Sequence, residues 1–119
     1  MGSVVDLAGL EAKARALDAK AKECDDEADH LGSISDQLGL RASEIFHSWK
    51  GTAANTLNMS IQEQITNVTL ARGNLVLAAM ALRSGADQLR AEIRREEEKR
   101  RREAAQRRRE EEQSKQRRP

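Results

Sequence analysis

The chain has 119 residues, of which 34% are charged and 2% aromatic, with one tryptophan, one phenylalanine and no tyrosine. This composition excludes a β-sandwich or barrel and leaves too few large side chains for an enzyme with a deep pocket. A single cysteine excludes a disulfide framework and a cysteine-based zinc site. The sequence therefore predicts an all-α protein of long helices, without enzymatic activity and without a cofactor.

The formal net charge is +1, but charged residues are unevenly distributed along the chain. Residues 1–50 hold ten acids and six bases, residues 51–89 two of each, and residues 90–119 eight acids and thirteen bases. The longest apolar run, Leu75 to Leu82, is far shorter than the ~20 residues of a membrane span, so we expect no membrane span. The first residues lack a basic segment followed by a long apolar stretch, so we expect no cleaved signal peptide.

The first predicted helix covers about residues 4–47. Ser3, with Asp6 three residues on, predicts its start as a capping box. Apolar and small residues recur at alternating steps of three and four, which places two rows on one stripe of a continuous helix. The small row is Leu7, Ala14, Ala21, Ala28, Ser35 and Ala42, and the large row is Leu10, Leu17, Cys24, Leu31, Leu38 and Ile45. A neighbouring helix can approach closely along the small row.

The predicted helices are separated by one break, at residues 48–52. Gly51 can adopt the positive φ that a tight turn between helices needs. Thr52 can cap the following helix. Trp49 can wedge between the two helix ends and fix their approach, or it can serve only to fill the core.

The second predicted helix covers about residues 52–110 and is apolar on two faces. Its inner stripe is Ile61, Ile65, Val68, Leu75, Ala79, Leu82, Ala86, Leu89 and Ile93. Its outer stripe is Met59, Thr66, Leu70, Gly73, Leu77 and Met80. One neighbouring helix can cover only one face, so the other must meet a second chain or stay exposed. We therefore predict a helical hairpin that dimerises into a four-helix bundle; a single hairpin with an exposed apolar back is the alternative.

The predicted hairpin core and the predicted dimer interface use different residues. The core is expected to contain Leu10, Leu17, Leu31, Leu38, Ile45, Ile61, Val68, Leu75, Leu82 and Leu89. The dimer interface is expected to contain Met59, Leu70, Leu77 and Met80.

The charge-dense end of the chain is predicted to be a helical extension, residues 96–119, separate from a hairpin domain at residues 1–95. Glutamates followed by arginines four residues later stabilise an isolated helix by roughly 0.2–0.5 kcal/mol per pair. The pairs are Glu96–Arg100, Glu97–Arg101, Glu98–Arg102 and Glu103–Arg107. The candidate docking residues are Arg100, Arg101, Arg102, Arg107, Arg108 and Arg109. The interspersed glutamates and the lack of aromatic residues disfavour nucleic-acid binding.

Two further patterns carry little chemistry. Glu44 and His47 have the Glu-x-x-His spacing of di-iron bundles, but they lie at a helix end and the remaining carboxylates are missing. We interpret them as a surface pair and expect no metal site. Cys24 falls in the large row and is interpreted as a small core residue.

The residues at the break, Trp49, Lys50 and Gly51 followed by Thr52, Ala53 and Ala54, resemble the WxG family of early-secreted-antigen-like proteins. These proteins are small substrates and partners of bacterial type VII (ESX) secretion systems. The resemblance covers about residues 4–93. It rests on the motif standing at the only break between two heptad-patterned helices.

The resemblance implies that the Trp-x-Gly end can also help to form a surface groove with the helix terminus of a partner. It implies a hairpin that pairs with itself, with a paralogous WxG-type protein or with the helical leader of a larger secreted toxin. It also implies export from a Gram-positive or actinobacterial cell without a cleaved signal peptide. Many such pairs carry a Tyr-x-x-x-Asp/Glu export signal, and this chain has Leu89 and Ile93 at the comparable place. Either the partner carries the signal, or a variant signal is used, or the chain is a relative that is not exported. A cytoplasmic coiled-coil scaffold, or a helical protein that binds nucleic acid or an anionic surface, is the alternative function.

Overall fold

The computed structural model describes residues 5–117 and contains two helices and no strand in that range. Helix α1 is Leu7–Ser48 and helix α2 is Thr52–Gln116. The predicted all-α class is confirmed. Helix α1 runs without interruption through Gly32 and Gly39, as the heptad pattern predicts.

Helix α1 begins three residues later than predicted, at Leu7. Asp6 is its N-cap residue, because the Asp6 carboxylate accepts a hydrogen bond of 3.0 Å from the backbone N–H of Gly9. The Asp6 carbonyl accepts the first helical bond, from the N–H of Leu10, also at 3.0 Å. The predicted cap, Ser3, lies outside the described residues.

The break between the helices is short and depends on Gly51, as predicted. Gly51 has a φ of +113°, a conformation that residues with a β-carbon rarely adopt. Its carbonyl accepts a hydrogen bond of 3.1 Å from the N–H of Asn55, so Gly51 occupies the N-cap position of α2. Thr52 is therefore the first helical residue and not the cap.

Helix α2 continues to Gln116, six residues beyond the predicted end. Ion pairs one turn apart accompany this continuation, joining Glu96 to Arg100 at 3.4 Å and Glu98 to Arg102 at 2.6 Å. After Gly85 the sequence contains no further glycine, and no proline before Pro119. Charge pairing within the helix thus carries it past the end of the apolar pattern.

Two compact units divide the chain, and each contains parts of both helices. The break unit is Leu17–Arg83. The terminal unit combines the chain up to Ala16 with the chain from Ser84 onward. The predicted domain boundary between residues 95 and 96 stays a prediction.

The most deeply buried positions are alanines. In the break unit, Ala21 and Ala79 have no exposed surface, and Ala14 and Ala86 have none in the terminal unit. The large residues predicted as the core are all half-buried: Leu10, Leu17, Leu31, Leu38, Ile45, Ile61, Val68, Leu75, Leu82 and Leu89. Small side chains allow close approach, and the larger ones lie at the flanks where water still reaches them.

Candidate protein-interaction surface

The outer stripe of α2, Met59, Thr66, Leu70, Gly73, Leu77 and Met80, lies in the break unit and faces away from the buried residues. Met59 is 72% exposed, Leu70 63%, Leu77 64% and Met80 60%. Ala79, two residues after Leu77 and so on the opposite side of the helix, is fully buried. The second apolar face found in the sequence is therefore a real exposed surface of the single chain.

Gly73 makes a notch in the middle of the outer stripe. A β-carbon placed on Gly73 would meet no atom of the chain within 4 Å. Leu70 and Leu77 stand one turn before and one turn after it, so the stripe presents large, small and large residues in succession. The notch at Gly73 can accept a side chain of a second molecule, because no atom of the described chain fills it.

Charged side chains are sparse along this part of α2. Between Glu63 and Arg83 the only charged residue is Arg72, which interrupts the inner stripe. Its guanidinium lies over Gly32 of α1, where a β-carbon would come within 3.2 Å of the Arg72 Cζ atom. The missing side chain of Gly32 thus makes room for the arginine on the inner side, and the outer stripe itself carries no charge.

A second link between the helices in the break unit is an ion pair. The guanidinium of Arg83 donates a hydrogen bond to the carboxylate of Asp25. This hydrogen bond raises the pKa of Arg83 above its ordinary value; desolvation opposes the rise, and the negative charges of Asp25 and Asp18 add to it. The pair is partly exposed, so its contribution to stability is small.

The Trp-x-Gly end of the break unit is exposed, contrary to the predicted wedge. Trp49 is 58% exposed and Phe46 56%. The backbone N–H of Trp49 donates a hydrogen bond of 2.8 Å to the carbonyl of Ile45, so the backbone of residue 49 still follows the last turn of α1. An open groove of about 280 Å³ is lined by Phe46, Trp49, Lys50, Gly51, Ala54 and Asn55. The two aromatic rings are thus placed for contact with another molecule.

The candidate docking residues of the charged extension do not all stand free in the terminal unit. Arg100 donates a hydrogen bond of 2.7 Å to the backbone carbonyl of Val5 and also pairs with Glu96. Of the four predicted glutamate–arginine pairs, the structure of residues 5–117 forms two, at Arg100 and Arg102. Arg101, Arg107, Arg108 and Arg109 are exposed. The Arg100 contact was not predicted from the sequence.

Neither of the weaker sequence patterns assembles into a larger cluster. Within residues 5–117, no group of three or more histidine, cysteine, aspartate or glutamate side chains could hold a metal ion. Glu44 and His47 are both exposed, and Cys24 is half-buried in the large row.

By length and composition, one helix in the described chain could cross a membrane. Helix α2 contains an 18-residue stretch with a mean hydropathy of 1.3, of which 6% is buried. A core helix of a soluble protein and a signal sequence satisfy the same criterion.

Comparisons of the chain with protein-family models, with curated proteins and with solved structures find no match.

Proposed function

We propose that the chain is a small helical-hairpin substrate or export partner of a bacterial type VII secretion system, acting by protein–protein pairing. The observation that carries this proposal is the exposed outer stripe of α2, which lies opposite a buried face of the same helix. A helix that is apolar on both sides needs a second neighbour, and pairing supplies it.

The contacts within the break unit support the hairpin. The Asp25 side chain of α1 is hydrogen-bonded to Arg83 of α2. Gly32 lies seven residues later in α1, and it contacts Arg72, which lies earlier in α2 than Arg83. Rising residue numbers on one helix thus meet falling numbers on the other, as in antiparallel neighbours. Two such hairpins joined through their outer stripes would form the proposed four-helix bundle.

The exposed Trp-x-Gly end supports the secretion role. In a helical pair stabilised by internal packing, an exposed tryptophan beside an exposed phenylalanine is a good candidate for recognition by another protein. The proposed partners are a second copy, a paralogous WxG-type protein or the helical leader of a larger secreted toxin, together with the secretion machinery. Because the chain has no tyrosine, a tyrosine-containing export signal would be carried by the partner.

The test of this proposal is export. The tagged full chain is expressed in an actinobacterial strain with an active type VII system and in a matched strain in which that system is inactivated. We expect the chain in the culture medium of the first strain only. Trp49→Ala should remain in the cells although its helix content is unchanged, while Leu40→Ala, which alters another exposed apolar residue, should be exported.

Two results would contradict the proposal. One is equal release from both strains, which would separate the chain from type VII secretion. The other is normal export of Trp49→Ala, which would leave the Trp-x-Gly end without the role assigned to it.

A second candidate function, binding to an anionic membrane surface, is favoured by one observation. The exposed apolar stretch of α2 meets the length and hydropathy of a membrane span, and exposed arginines follow later in the same helix. Apolar contact combined with basic side chains is the usual basis of surface binding to anionic lipids. Co-flotation of the chain with vesicles of anionic phospholipid would support this candidate, and pairing through the outer stripe predicts no flotation of the paired species.

A further inference from the structure

The part of the outer stripe of α2 from Leu70 to Met80 is complementary to itself when reversed. We infer that its occupant is a second copy of this chain, running antiparallel, with Leu77 of each copy seated over Gly73 of the other. The inference rests on the proposed pairing function and specifies the partner and the register of that pairing.

The register follows from positions along the helix. Gly73 and Leu77 lie two residues on either side of position 75, and Leu70 and Met80 lie five residues on either side. In an antiparallel pair centred on position 75, Leu77 therefore faces Gly73 and Met80 faces Leu70. A parallel pair would instead place Gly73 against Gly73, which leaves that layer without a side chain from either copy.

The charge of the surface agrees with self-pairing. The outer stripe carries no charged side chain, because Arg72 lies on the inner side over Gly32. A partner surface with charged residues would lose their hydration without gaining partners. A second copy presents an equally uncharged stripe. The notch at Gly73 also fits a helix carrying a large side chain better than it fits a lipid surface, which needs no notch.

The area of the surface predicts a reversible pair. In this register the outer stripe contributes few large apolar side chains, chiefly Leu70, Leu77 and Met80, which are 60–64% exposed. A standard specific interface buries about 800 Å² per partner, so neighbouring polar side chains must supply the remainder. Pairs at the low end of interface size are weak, and we expect a dissociation constant in the micromolar range.

The test is the solution mass of the full chain, measured by sedimentation equilibrium over a series of concentrations. We expect the mass to rise from 13.3 kDa toward twice that value with increasing concentration. Gly73→Leu fills the notch and Leu77→Gly removes the side chain that enters it, so each should weaken the dimer at least about tenfold. Gly39→Leu is the matched control, because Gly39 is also a helical glycine with open space around it, and its dimer should be unchanged.

Folding and pairing are separable in this design. Leucine is a better helix former than glycine, so Gly73→Leu should raise the stability of the single chain while it weakens the dimer. The double variant Gly73→Leu/Leu77→Gly has the composition of the natural chain and restores the large–small match in the antiparallel register. Its dissociation constant should return to within about threefold of the natural value. If the losses of affinity in the two single variants simply add in the double variant, the two residues do not face each other.

Three outcomes would overturn the inference. A double variant as weak as the single variants would exclude the antiparallel register, and Gly73→Leu with natural affinity would exclude the notch. A natural chain that stays at 13.3 kDa would exclude a second copy as occupant, whether it remains alone or floats with vesicles of anionic phospholipid. If that monomer is exported with a different WxG-type protein, the proposed function stands and the inference of self-pairing fails. If the chain dimerises but is never exported, the inference of self-pairing stands and the proposed function fails.

Discussion

Gly32 of α1 lies directly against Arg72 of α2, and a β-carbon at residue 32 would stand 3.2 Å from the guanidinium carbon of that arginine. Glycine in a helix interior costs about 0.5–1 kcal/mol relative to alanine. At residue 32 this lower helix propensity is accompanied by room for the Arg72 side chain. The contact between Gly32 and Arg72 explains how a charged residue is accommodated in the otherwise apolar inner stripe.

Replacing Gly32 should therefore stabilise the protein less than replacing a glycine in open space. We expect Gly39→Ala to raise the free energy of unfolding by about 0.5–1 kcal/mol. Gly32→Ala should gain less, because the Arg72 side chain must shift by a few tenths of an ångström. Urea unfolding followed by circular dichroism measures both. In an Arg72→Ala background the two gains should become equal, and equal gains in the natural background would show that Arg72 moves freely.

Gly51→Ala should have the opposite sign to Gly39→Ala. Neither glycine has an atom within 4 Å of an added β-carbon, so contacts play no part in the difference. Gly51 has a φ of +113°, and a side chain in that region costs roughly 1–3 kcal/mol. We expect Gly51→Ala to lower the free energy of unfolding by that amount in urea titrations. A neutral effect would mean that the break adopts another conformation when residue 51 changes.

Trp49→Ala should cost little stability despite the size of the side chain. Loss of a buried tryptophan costs about 3–5 kcal/mol, whereas Trp49 is more than half exposed. We expect a loss below about 1 kcal/mol in the single chain. Because Trp49 is the only tryptophan, its fluorescence gives an independent check, and acrylamide should quench it efficiently. A large stability loss together with protected fluorescence would restore the wedge that the sequence predicts.

Enlarging a buried alanine should destabilise the helix pair. Ala21 has no exposed surface, and inserting extra methylenes into a packed site typically costs 1–3 kcal/mol. Ala21→Leu should therefore lower the urea midpoint. Ala19→Leu is the control, because Ala19 is exposed on the same helix, and its midpoint should be nearly unchanged. Equal effects at both positions would argue against close approach of the helices at Ala21.

Asp6→Ala should weaken the start of α1 by about 1 kcal/mol, because it removes the acceptor for the N–H of Gly9. Asp6→Asn should retain most of the stability, since asparagine caps helices about as well. Thermal unfolding of the three proteins compares them directly. No difference between the alanine and asparagine variants would mean that the Asp6 side chain does not contribute to the cap in solution.

The features predicted from periodicity match the structure best. The alternating steps of three and four give the two helices, and the sole Gly-containing break between the patterns gives the positive φ at Gly51. The outer stripe is exposed for the reason that its spacing indicates, because a helix can turn only one face to a single neighbour. Whether Leu70 and Leu77 bind a partner stays a prediction.

Features that depend on competition between neighbouring groups were harder to predict. Ser3 and Asp6 are both good capping residues, so residue type alone does not distinguish between them. Trp49 has enough apolar surface to be buried, but its side chain is 58% exposed although its backbone continues the last turn of α1. Val5 and Arg100 lie at nearly the same number of residues from Gly51, on either side of the break. In a pair of antiparallel helices this spacing would have predicted their contact.

The buried alanines change how this protein should be mutated. Among the described residues, seven of the eight buried apolar positions are already alanine. A conventional alanine scan would leave those seven positions untouched and would report that the core is insensitive to substitution. Most of its large effects would come from side chains that are only partly covered. Packing in this protein is vulnerable to gains in side-chain volume more than to losses, so a scan with leucine or valine is the informative one.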